Sequence, residues 1–193
     1  MKLKKWKISE IEEKIGKKLK RNTTTIGFDV AKKNTGIAVL ITLSSTLYIT
    51  KLHTINNAKG DLKKYDSIAG MTYFIGELNN FISNTKTKGY KIFIIEDCFF
   101  GKNANTLKIL ARFSALTWRE LKHIADKIYF KLATTARSQV GFKKDKNSKK
   151  KSKIQVKDFV NNLFGLTLKD DNQTDAIVLA LSGLIRRDDE TET

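Results

Sequence analysis

The chain has no proline, one cysteine and two histidines among its 193 residues. Without proline, its turns must rest on Gly, Asn, Asp and Ser, each suited to tight backbone geometry in its own way. Cys98, being alone, closes no internal disulfide, so a reducing cytoplasm is expected. His53 and His123 lie far apart in sequence, and zinc-ligand spacing is missing. No apolar run approaches the ~20 residues of a membrane span. The stretch "MKLKKWKISEIEEKIGKKLKR" is charged throughout and lacks the apolar centre of a secretory signal. Acidic residues are also scarce. There are 20 Asp+Glu against 37 Lys+Arg, a net charge of +17, and such a chain seeks a polyanion. Ile8, Ile11, Ile15 and Leu19 give one segment an amphipathic face that a membrane surface could use. The charge is spread over the whole chain, however, which favours nucleic acid and no membrane.

What is present reads as one α/β domain, since 193 residues with 40% hydrophobic content suffice for a single core. Residues 1–22 are expected as a basic amphipathic helix extending the main domain, which spans 23–188. Three strand-like runs follow at 24–30, 36–43 and 47–55, joined by short polar turns as in an antiparallel meander. Apolar residues at helical spacing predict a helix over 61–85, closed near Gly89. "KIFIIE" at 91–96 is a buried strand that ends in a charge. A helix is expected over 104–124, a fifth strand over 127–133, and closing helices over 154–164 and 172–187. Between them, 142–153 carries seven lysines and reads as a mobile loop. The order βββαβαβαα calls for a five-stranded mixed sheet flanked by helices.

Three sets of carboxylates stand out. Asp29 ends the apolar strand "TIGFD", and Glu96 ends "KIFIIE" in the same manner. "KDDNQTDAIVLAL" puts Asp170, Asp171 and Asp175 at the start of an apolar helix, with Asp171 and Asp175 one turn apart on one face. If the first and fourth strands are neighbours, Asp29 and Glu96 meet, and that helix adds Asp171 and Asp175. Carboxylates so gathered repel unless a cation sits among them. Magnesium fits, as a hard ion that prefers oxygen ligands. Two such ions about 3.5–4 Å apart stabilise both the attacking and the leaving oxygen of a phosphodiester displacement. The plainer reading of Asp170 and Asp171 is a helix cap with dipole-favoured charges. That reading does not extend to Asp29 and Glu96, because burying a lone charge in an apolar strand is costly.

The runs "TIGFDVAKKNTGIAV", "FIIEDCFFGKNANTLKILARFSALTW", "KSKIQVKDFVNNLFGL" and "DDNQTDAIVLAL" resemble, in order and spacing, the motifs of RuvC-type Holliday junction resolvases, in particular their divergent phage and poxvirus branch. The match spans residues 25 to 185. It implies an RNase H-like fold, a homodimer, and magnesium-dependent paired nicking of four-way DNA junctions, with manganese as a substitute ion. It also implies a cytoplasmic protein or a viral one acting on DNA in the host cell. Asp29, Glu96 and Asp175 match the family's acidic positions, Lys153 matches a basic position near the scissile phosphate, and Phe99 matches an aromatic that stacks on opened bases. The helix over 104–124 is apolar enough to pack on the sheet, yet Phe113 and Trp118 would equally suit a dimer seam, and the resemblance implies a place for this helix at the dimer interface.

Two departures bear on the chemistry. Many relatives carry a carboxylate three residues before the last Asp, where this chain has Asn172, so Asp171 is the expected replacement ligand. A lysine common after Val140 is replaced by Gly141, and Lys143 or Lys144 is expected to supply its charge. Lys102, Lys149, Lys150 and Lys151 complete the expected DNA contacts. Two rival readings stay open: a broader RNase H-fold nuclease acting on branched DNA or hybrids, and a non-catalytic junction-binding protein whose site Asn172 disables.

Overall fold

The computed structural model describes residues 4–31, 33–56, 68–97 and 104–186. Expected contacts at Phe99 and Lys102, together with Cys98, lie outside them. The chain runs β1 (Lys4–Lys7), α1 (Ile8–Ile15), β2 (Thr23–Asp29), β3 (Asn34–Leu43), β4 (Thr46–Asn56), α2 (Ile68–Ser83), β5 (Tyr90–Glu96), α3 (Ala104–Leu121), β6 (Lys127–Lys131), α4 (Ala133–Gln139), α5 (Ser152–Phe164) and α6 (Asp171–Leu184). The strands form one mixed sheet in the order β1-β4-β3-β2-β5-β6. β2, β3 and β4 make the expected antiparallel meander, while β5 runs parallel to β2 and β6 parallel to β5.

The sheet has six strands rather than five, because the N-terminal segment is not one helix. Lys4–Lys7 pairs antiparallel with Thr46–Ile49 on the far side of β4, and the helix covers only Ile8–Ile15. The physical cause is the edge that the meander leaves unpaired at β4, whose backbone groups "KKWK" satisfies. Trp6 then packs edge-on against Phe164, its indole N–H donating to the Phe164 carbonyl at 3.1 Å. Ile8, Ile11 and Ile15, at helical spacing, turn the face of α1 into the same apolar cluster as α5 and α6.

Alternation along the strands divides two cores. Ile26 and Phe28 of β2, Ile37 and Val39 of β3, and Phe93 and Ile95 of β5 face α2 and α3, where Phe74 meets Phe113 edge-on at 4.8 Å. Of the two roles open to these residues, Phe113 takes the core one, whereas Trp118 is 43% exposed. The other face carries Ala38, Leu40, Ile92 and Ile94 against α1, α4, α5 and α6. α6 is buried on nearly all sides, from Thr174 to Leu184, so it crosses the sheet centre as an interior helix. Gly27 and Gly36 let it come so near. A β-carbon at Gly27 would run into the Ala176 carbonyl, and one at Gly36 into the Asn172 backbone.

Candidate active site

Strand parity decides where the two strand carboxylates point. Phe28 and Ile95 are register partners facing α2 and α3, so Asp29 and Glu96, each one residue on, turn together toward α6. They stand at the carboxyl ends of adjacent parallel strands, where open α/β sheets hold their ligands. Asp29 is only 6% exposed and hydrogen-bonded to Glu96. Burial, then that hydrogen bond and the neighbouring charges of Glu96 and Asp175, push the pKa of Asp29 well above the ordinary aspartate value, and Lys153 only partly offsets them. Two carboxyl groups are thus crowded together where Asp29 is shielded from water.

Asp175 comes from the first turns of α6, which the missing side chains at Gly27 and Gly36 allow to press on β2 and β3. Its Oδ1 accepts from Arg137 Nη2 at 2.8 Å, and both side chains are largely buried. Arg137 sits in the last turn of α4, a helix absent from the expected order, where the strand was expected to continue to residue 133. It is a residue of the candidate site that sequence reasoning missed. One signal was there: Arg137 is the only arginine between Arg119 and Arg186, in a stretch otherwise supplied with lysines.

The remaining carboxylates are employed elsewhere. Asp170 is the N-cap of α6, its Oδ1 accepting from the Asn172 N–H at 2.9 Å and its Oδ2 from the Thr54 hydroxyl at 2.6 Å. Asn172 also ties its side-chain amide to Asp170, at 3.1 Å. Asp171, expected beside Asp29, accepts from Lys157 Nζ at 2.8 Å and is 39% exposed. So the fold brings Asp29, Glu96 and Asp175 together, with Lys153 near enough to act on Asp29, and holds Asp171 in a separate ion pair.

The lysine run is more ordered than a free loop. Gln155 Oε1 accepts from the Asp145 N–H, and its amide donates to the carbonyls of Asp145 and Lys150. Lys143, Lys144, Lys149, Lys150 and Lys151 are exposed, and Lys150 reaches Asp158 at 2.8 Å.

The donor set fits a hard divalent cation, since Asp29 and Glu96 crowd oxygen onto oxygen near Asp175 and Lys153 offsets their charge only in part. A closed ligand array is not formed: among the described residues no three His, Cys, Asp or Glu side chains converge as a metal site, and Asp175 is engaged by Arg137.

No protein-family model matches the sequence, and no curated protein matches it. The fold has clear counterparts among solved structures. Thermus thermophilus RuvC in complex with a Holliday junction substrate superposes with a TM-score of 0.64 at 10% identity, covering 83% of this chain and 91% of that one. A second Thermus thermophilus RuvC structure gives 0.58 at 12% identity, with 82% and 92% covered. The yeast mitochondrial Holliday junction resolvase Ydc2 gives 0.52 at 10% identity, with 89% and 83% covered. This chain has the RNase H-like fold seen in the RuvC-type resolvases, here built on a six-stranded sheet.

Proposed function

We propose that the protein is a divalent-metal-dependent endonuclease that resolves four-way DNA junctions by paired phosphodiester hydrolysis, acting as a homodimer. The observation that carries this reading is buried Asp29 beside half-buried Glu96, set at the ends of neighbouring parallel strands near Asp175. A protein of the same fold has been captured on a Holliday junction, and the net charge of +17 suits a DNA ligand.

Asp29, Glu96 and Asp175 are the residues that would hold magnesium or manganese, with Asp171 as a fourth donor once Lys157 releases it. Bound there, two ions would supply an activated water and neutralise charge on the phosphate, the expected products being 5′-phosphate and 3′-hydroxyl ends. The chain's own contribution is positional. Burial keeps bulk water from Asp29, and Lys153 at the start of α5 offers a cation to the backbone phosphate. The exposed lysines at 143, 144 and 149–151 neutralise flanking phosphates. Trp118 and the 86% exposed Ile68 give α2 and α3 an apolar face suited to a second copy, which sets two sites in opposition across a two-fold junction.

A second reading has an observation in its favour. Asn172 stands where a carboxylate is common and Asp171 is paired with Lys157, which fits a protein that binds junctions without cutting them. The test is a labelled synthetic four-way junction incubated with magnesium or with chelator and run on a denaturing gel, beside an RNA–DNA hybrid. Paired symmetric nicks that need magnesium are expected on the junction. A shifted but uncut junction supports the binding protein, and preferential cutting of the hybrid sinks the resolvase reading.

A further inference from the structure

The Arg137–Asp175 pair is an unusual thing to find in a site that needs its carboxylates for metal. Nη2 of Arg137 donates to Asp175 Oδ1 at 2.8 Å, in side chains only 17% and 10% exposed. The pairing is also incomplete. Arg137 Nε is buried and has no hydrogen-bond partner among the described residues. A guanidinium presents five N–H donors in a planar fork that matches a carboxylate or a phosphate in two-point fashion. Here it meets Asp175 through Nη2 while a buried donor goes unused. Arg137 and Asp175 line the same small cleft as Glu96.

We propose that Arg137 is a built-in counter-cation: it competes with the divalent metal for Asp175 in the free protein and is drawn off by DNA phosphate, so that metal loading waits for substrate. The inference rests on the metal-nuclease reading and adds a control to it. A fixed positive charge at Asp175 weakens cation binding by direct repulsion and by occupying a ligand oxygen. Phosphate satisfies the fork better than a single carboxylate oxygen does, since both of its oxygens accept. DNA then removes the competitor as it arrives, and by linkage the metal strengthens DNA binding by the same factor. In function, an enzyme so built carries little loaded metal until its substrate is seated.

Arg137 acts here through Asp175, as a positioning residue, so its test must read something other than cleavage. Calcium is titrated calorimetrically into wild type, Arg137→Gln and Arg137→Lys, each without DNA and with a saturating four-way junction. Without DNA, Arg137→Gln is expected to bind calcium about tenfold more tightly than wild type, and Arg137→Lys to stay near wild type because the charge is kept. With the junction bound, wild type and Arg137→Gln are expected to agree within about twofold, since the competitor is already gone. Equal or weaker DNA-free affinity in Arg137→Gln overturns the proposal.

If Arg137→Gln does not fold, the same point is read in wild type from the side-chain Nε–H resonance of Arg137, assigned by its loss in Arg137→Lys. Calcium is expected to shift that resonance as the pair opens, and a fixed resonance at calcium saturation overturns the idea. Should calcium bind normally while Arg137→Gln changes nothing, only this inference fails. Should no variant bind calcium even with the junction, the metal-nuclease reading fails with it.

Discussion

Asp29 is an ordinary side chain in an expensive place. Its neighbours on β2 are all buried, and its carboxylate is pressed against Glu96 with Asp175 nearby. Each of these raises the cost of its charge in the metal-free protein, which is how sites that need concentrated negative charge store instability. Asp29→Asn removes the repulsion while keeping shape and hydrogen bonding. In chelator, that variant is expected to be more stable than wild type by roughly 1–2 kcal/mol in denaturant unfolding. Its junction cleavage is expected to vanish entirely. A variant less stable than wild type would mean that the carboxylate is favourably bonded in the metal-free fold, contrary to this crowding.

Among elements, α1 is tied to the segment that follows it by one buried acid. Glu12 is 8% exposed, accepts the Leu19 N–H at 2.8 Å and pairs with Arg21 at 3.1 Å and Lys18 at 3.6 Å. Burial pushes its pKa upward, but the Leu19 N–H and the Arg21 and Lys18 cations outweigh it and hold the group below the ordinary glutamate value of 4.5. Stability from a depressed carboxylate is present above that ordinary value and is lost as pH falls through the lower folded one. Glu12→Gln is therefore expected to cost about 1–3 kcal/mol at neutral pH. The difference from wild type should shrink steadily below pH 4.5, followed by thermal unfolding across pH. A gap that persists in acid would assign the role of Glu12 to packing and not to charge. The lysines of β1 serve a second purpose, because that strand is an edge of the sheet and charged edges resist pairing with another chain.

For the whole molecule, the governing fact is charge. An excess of +17 suits attraction to DNA from a distance, and the exposed lysines of 143–151 bring part of it close to the site through Lys153. Replacing Lys149, Lys150 and Lys151 with alanine should weaken junction binding regardless of sequence. It should also flatten the slope of log affinity against log salt by about 2–3, one for each phosphate left without its lysine. Fluorescence anisotropy over a salt series measures this. An unchanged slope would show that these lysines face away from the DNA.

Much of this architecture was legible along the chain. The meander, the buried strand before Glu96 and the interior helix after Asp170 follow from period-two and period-3.6 patterns, which are local properties. So does the oddity of Asp29 and Glu96, since a carboxylate closing an apolar strand is visible wherever it occurs. What the sequence could not decide was which partner each polar group would find. Asp170 and Asp171 look equivalent as letters, yet one caps α6 and the other pairs with Lys157, because helix rotation against β3 and α5 selects between them. "KKWK" became a strand only because β4 had a free edge to offer. Arg137 lies 38 residues before Asp175, on a helix of 7 residues too short for periodicity to reveal, and only the packing of α4 on α6 brings the two together. Local pattern determined the long elements and marked the acids; long-range packing, which sets distances between residues remote in sequence, added β1 and decided which charges meet.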